Sequence, residues 1–199
     1  MTASGLDTLV FVYGTLKRDL YNYNVYLKPA VELNKAAYAG TAITADPEFV
    51  LVLKKNRTVP CMFRETEKHA GYKIPGELFR VDKDALECLD LLEGVAGSYY
   101  LRETIDVEVL DGDKKGQTVP AQAYIVPRND EMMELTHIPE YTTQHHEQYI
   151  AKSRTPKLHY LQHIYGEDKM TQVRAKIDAG MEFDDAWVAI MGKKLGPAP

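Results

Sequence analysis

Two cysteines in 199 residues, Cys61 and Cys88, are too few for a disulfide framework and lack the spacing of a metal-binding set. No window is long and apolar enough to span a bilayer. The opening Met1–Thr8 is polar, and the apolar run behind it, Leu9–Val12, is too short for a signal sequence, so no targeting segment is expected. Basic runs are missing as well. The 24 Lys and Arg residues are scattered and the net charge is −5, which argues against a nucleic-acid partner. Gly14 stands without the companions of a phosphate-binding loop, and Ser4, Ser98 and Ser153 lack a nucleophile-elbow context. His159 and His163 share an i, i+4 spacing but have no acidic helical context, so solvent-facing or capping roles are expected; the adjacent His145 and His146 cannot share a helix face. A cytoplasmic protein is therefore expected, with no signal for a metal, a nucleotide or a covalent nucleophile.

The stretch 81–100 is where the sequence says most. Asp82 is placed to cap a helix and Gly94 to end it. At about 100° per residue, Ala85, Leu86, Cys88, Leu89 and Leu92 fall within one apolar arc, with Glu87 and Asp90 outside as surface carboxylates. Glu93 lands inside the arc. Burial and the negative end of the helix dipole would both raise its pKa, the direction a general base needs. The alternative is that Glu93 turns to solvent at a fraying end or pairs with a basic neighbour.

Around this helix the pattern is β-rich. Leu9–Tyr13 predicts a strand buried on both faces, running into the Gly14-Thr15-Leu16 turn, whose N–H groups are able to converge on an anion. Residues 19–34 predict a Tyr- and Asn-rich loop with a short helix. Further strands are expected at 37–45, 49–53, 59–63 and 75–81, and a hairpin at 103–110 and 117–126 turns through 111–116. The expected class is α+β: a small mixed β-barrel or curled sheet over residues 1–127, with flanking helices. Residues 128–199 predict a helical extension, with helices at 139–152, 171–179 and 182–191. Phe183 and Trp187 need burial, on the chain's own barrel or in a homodimer.

Two stretches carry a family resemblance. Val10–Arg18 (Val-Phe-Val-Tyr-Gly-Thr-Leu-Lys-Arg) resembles the opening signature of the γ-glutamylcyclotransferase-like superfamily, closest to the branch of γ-glutamylamine cyclotransferases and avirulence-induced plant proteins. Gly76-Glu77-Leu78-Phe79, Leu89–Gly94 and Tyr99-Tyr100 resemble its second block, in the same order and relative spacing. The resemblance spans roughly residues 9–127. It implies a six-stranded-type barrel with a site at its mouth and Glu93 as catalytic acid/base. It also implies substrate contacts from Tyr13, Gly14, Thr15 and Leu16, with Tyr100 and Tyr124 nearby. The implied reaction releases 5-oxoproline and a free amine from a γ-glutamyl substrate, the α-amine attacking the γ-carbonyl, with no metal or cofactor. γ-Glutamylamines such as γ-glutamyl-lysine are the implied substrates; γ-glutamyl amino acids and a non-catalytic binding or stress-response role are the alternatives. The chain departs from the branch at Asp19, where glycine is usual, so the leaving amine does not carry over.

Overall fold

The computed structural model describes residues 5–54, 58–66, 70–112, 114–149 and 156–196. Strand β1 (Thr8–Val12) is buried on both faces from Val10 onward and therefore needs neighbours on both edges. It pairs antiparallel with β5 (Pro75–Val81) and parallel with β7 (Thr118–Ile125). With β2 (Ala36–Thr44) and β6 (Leu101–Val109) these strands close a barrel in the order β1-β5-β2-β6-β7. Closure requires β2 to bend. The bend falls at Gly40, where the register with β5 shifts and φ is +126°, a conformation that favours glycine. Asp111 locks it, accepting from the Thr41 N–H (2.8 Å) and from the Thr41 hydroxyl (2.7 Å).

The barrel has five strands, where the resemblance implies six. β3 (Phe49–Lys54) and β4 (Val59–Arg64) form a separate three-stranded sheet with β8 (Thr136–His137). Residues 49–52 and 60–63 are buried on both faces, so the pair fits between the barrel and the following chain. β4 meets the barrel wall through the Val126 N–H, which donates to the Met62 carbonyl (2.9 Å).

Helix α2 spans Lys83–Glu93. The Asp82 carboxylate accepts from the Ala85 N–H at 2.8 Å, and Gly94 ends the helix at φ 71°. Ala85, Cys88 and Leu89 are buried, whereas Leu86 and Leu92 are only half-buried. Asp90 corrects the expectation of a surface carboxylate. It accepts from the Tyr124 hydroxyl at 2.8 Å and pairs with Arg102 Nε at 3.2 Å, side chains that reach it from β7 and β6.

The loop 19–34 holds a π-helical turn, Tyr23–Leu27, and α1 (Lys28–Glu32). After β7 come α3 (Asp130–Met133), β8 and α4 (Thr143–His146). A helix was expected over 139–152. Its start is deferred to Thr143 because Thr142 is extended and its N–H donates to His145 Nδ1 (3.1 Å), while the Ile138 N–H is held by the Leu51 carbonyl (2.9 Å). Residues 150–152 of that expectation lie outside the described residues.

Helix α5 (Leu158–Tyr165) is additional to the expected helices. It packs on α2, and His163 Nδ1 stands 3.1 Å from the Glu87 carboxylate rather than facing solvent or capping. α6 (Glu167–Asp178) begins four residues before its expected start, just after Gly166. α7 (Phe183–Met191) ends at Gly192, as the sequence suggests. Trp187 is buried, edge-on to Tyr165 (5.1 Å between centroids) and stacked on Phe183 (5.8 Å). No helix among the described residues is long and apolar enough to cross a membrane.

Candidate active site

β1 delivers the chain to the barrel mouth, and the Gly14–Leu16 turn lies across it. Glycine is needed at 14: a Cβ there would come within 2.6 Å of the Pro60 ring, which β4 lays on the turn. The turn closes through Lys17 N–H to the Gly14 carbonyl (2.9 Å) and Tyr23 N–H to the Thr15 carbonyl (3.2 Å). Among the described residues no backbone carbonyl meets the N–H groups of Thr15 and Leu16, which leaves two adjacent donors. Thr15 Oγ1 accepts from the Asn22 side chain at 2.8 Å, fastening the loop to the turn.

Helix α2 enters the same region from the other side. Glu93 is its last residue, and the αL glycine behind it swings the chain through Val95–Gly97 to Tyr99 and Tyr100 at the start of β6. A cavity of about 140 Å³ opens there. Every site residue named from the sequence lines it: Tyr13, Gly14, Thr15, Leu16, Glu93, Tyr100 and Tyr124. So do Tyr21, Asn22 and Tyr26 from the loop, Pro60 from β4, Tyr99, and Tyr149, Lys157 and Tyr160 from the C-terminal region. The Tyr/Asn-rich composition of 19–26 is a sequence signal for the first three. Nothing local marks the last three.

The cavity floor is a network of buried phenols. The Tyr13 hydroxyl donates to the Tyr124 carbonyl (2.6 Å) and accepts from the Met62 N–H (3.3 Å). Tyr100 Oη lies 3.3 Å from both Cys61 Sγ and the Pro60 carbonyl. Burial pushes the Tyr13, Tyr100 and Tyr124 phenols well up from their ordinary pKa, and the nearby Glu93 charge adds to the rise in each. All three stay protonated around a carboxylate, so the floor supplies neutral dipoles and no competing anion.

The motif's two cations are engaged elsewhere. Lys17 Nζ donates to Glu140 (2.6 Å) and to the Tyr141 carbonyl (2.9 Å). Arg18 pairs with Glu77 (3.2 Å) while its guanidinium lies 3.7 Å over the Tyr38 ring. Glu77, buried on β5, also accepts from the Arg18 N–H at 2.8 Å, so the Gly-Glu pair of the second motif anchors the turn of the first.

A closed α+β barrel with a concave, tyrosine-lined mouth and, among the described residues, a single acidic side chain on its wall is suited to a small-molecule site on a rigid scaffold. The family model described as gamma-glutamyl cyclotransferase, AIG2-like, matches residues 10–153, and the chain belongs to that family of enzymes. A protein of Arabidopsis thaliana is 38% identical over 98 residues, 49% of this chain and 50% of the relative. The gamma-glutamylaminecyclotransferase of Rattus norvegicus is 35% identical over 107 residues, 54% of this chain and 68% of the relative. The chain thus spans between half and about two thirds of the length of these relatives. The crystal structure of an AIG2-like protein from Mus musculus superposes with a TM-score of 0.61 at 26% identity, covering 75% of this chain and 98% of that one.

Proposed function

We propose that the chain releases 5-oxoproline and a free amine from γ-glutamylamines, with Glu93 moving the protons. The observation that carries the reading is that the Gly14–Leu16 turn and Glu93, far apart in sequence, line one cavity. The substrate's α-amine attacks its own γ-carbonyl: a C–N bond forms to close the five-membered ring, and the C–N bond to the leaving amine breaks. The attacking nitrogen gives a proton to the Glu93 carboxylate, which passes it to the departing nitrogen, so protons balance without water or a cofactor. Holding the folded-back conformer supplies much of the acceleration, because the nucleophile is already part of the substrate. The Thr15 and Leu16 N–H groups are suited to a carboxylate or to the oxyanion that develops on the γ-carbonyl oxygen.

The test is 5-oxoproline release from γ-glutamyl-ε-lysine, γ-glutamyl-alanine and glutathione. Glu93→Gln keeps the shape and removes the base, so turnover should fall by about a hundred- to ten-thousand-fold while ligand binding persists. Release from none of the three by the unaltered protein, or equal turnover by the Gln variant, would overturn the reading.

A further inference from the structure

The cavity wall includes a cation that the family match, which ends at residue 153, does not reach. Lys157 stands at the rim of the cavity, immediately before α5, and together with Glu93 supplies the charge on its wall among the described residues. Its ammonium meets the Tyr160 hydroxyl (3.1 Å) and lies 5.1 Å over that ring, with no carboxylate of the described residues paired to it. Lys17 and Arg18, by contrast, are already matched by Glu140 and Glu77.

Glu93 is felt by the phenols of Tyr13, Tyr100 and Tyr124 on the barrel floor. Lys157 stands instead with Tyr160, whose hydroxyl its ammonium meets and whose ring is tilted against that of Tyr26, 6.2 Å between centroids. In the cyclotransferase reading the glutamyl half must curl back on itself beside Glu93, so the part of the substrate that extends toward Lys157 is the leaving amine. The tyrosine rings offer that half an apolar slot with a positive charge at its rim.

We propose that Lys157 binds a carboxylate on the amine half of the substrate, so that the chain prefers γ-glutamyl compounds whose released amine carries an acid group. The inference rests on the cyclotransferase reading and makes the C-terminal region a specificity element. Lys157 is a binding residue in it and takes no part in proton transfer.

Two substrate pairs isolate the carboxylate at different reach: γ-glutamyl-alanine with γ-glutamyl-alaninamide, and γ-glutamyl-4-aminobutyrate with γ-glutamyl-butylamine. The unaltered protein should favour the acid member of at least one pair by about three- to tenfold in kcat/KM, carried by KM and weakened by added salt. Lys157→Met should bring that ratio near unity, and Lys157→Arg should retain part of it. Release without an acid preference in either pair sinks this inference alone. So does a preference that survives in Lys157→Met, or a loss equal for both members of a pair, which would assign Lys157 to the glutamyl half. Release from no compound sinks the cyclotransferase reading and this inference with it.

Discussion

Tyr13 shows how much one side chain fixes at the barrel mouth. Its hydroxyl both donates and accepts, tying β7 at the Tyr124 carbonyl to β4 at the Met62 N–H. Tyr13→Phe keeps the ring and leaves those two buried groups short of a partner. A buried donor without its acceptor costs about 1–3 kcal/mol, so the thermal midpoint should fall by several degrees, at about 2–4 °C per kcal/mol for a chain of this size. Calorimetry decides: an unchanged midpoint would mean that the small sheet and the barrel are held together without this hydroxyl. That Glu93 lies on the apolar side of α2 follows from residue spacing alone, yet the same wheel put Asp90 on the surface. A wheel describes one helix, and the Tyr124 and Arg102 that claim Asp90 arrive from strands outside it.

At the scale of elements, α4 is pinned to the loop over the cavity through one imidazole. His146 Nε2 accepts from the Tyr21 N–H at 3.0 Å, and Nδ1 lies 3.1 Å from the Tyr141 hydroxyl, which in turn donates to the Thr58 carbonyl (3.3 Å). An acceptor at Nε2 needs a neutral ring, and burial lowers the His146 pKa from its ordinary 6.5, in the same sense. The sign follows from linkage. Between the lowered folded value and about 6.5 the unfolded chain binds more protons, so stability is lost as pH falls through that window and is unaffected by this group above it. His146→Gln presents an amide with no titration. The unaltered protein should therefore lose more of its thermal midpoint than the variant between about pH 7 and pH 5, and parallel curves would remove His146 from the account. Elements differ in how readily the sequence discloses them. α2 and α7 announce both ends, through Asp82 and Gly94 and through Gly192. β3 and β4 are equally plain as strands, but an apolar run does not say which sheet receives it, and so the barrel closes with five strands instead of six. α5 has a plainer signal than its histidines, since Leu158, Leu161 and Ile164 trace an apolar face that rests on the chain.

For the whole molecule, the question is whether the C-terminal helices fold with the barrel or merely dock on it. We propose that they form a distinct unit. α5 lies on α2, α6 on α5 and α7 on α6, so the attachment runs through α5, helped by Lys35, which pairs with Asp84 and donates to the His163 carbonyl (2.9 Å), and by the Lys193–Glu32 pair. Trp187 is central to that unit, buried between Tyr165 and Phe183. Trp187→Ala removes packing worth about 3–5 kcal/mol, enough to open a small group of helices whose own stability is a fraction of the whole. Hydrogen exchange should show α5–α7 losing protection while β1 and β5 keep theirs. The same opening takes Lys157 and Tyr160 from the cavity wall, so the preference for acid-bearing amines should decline together with helix protection, with turnover at Glu93 persisting. Equal loss of protection in the barrel strands would mean one cooperative body, in which the specificity wall cannot be lost without losing the site it serves.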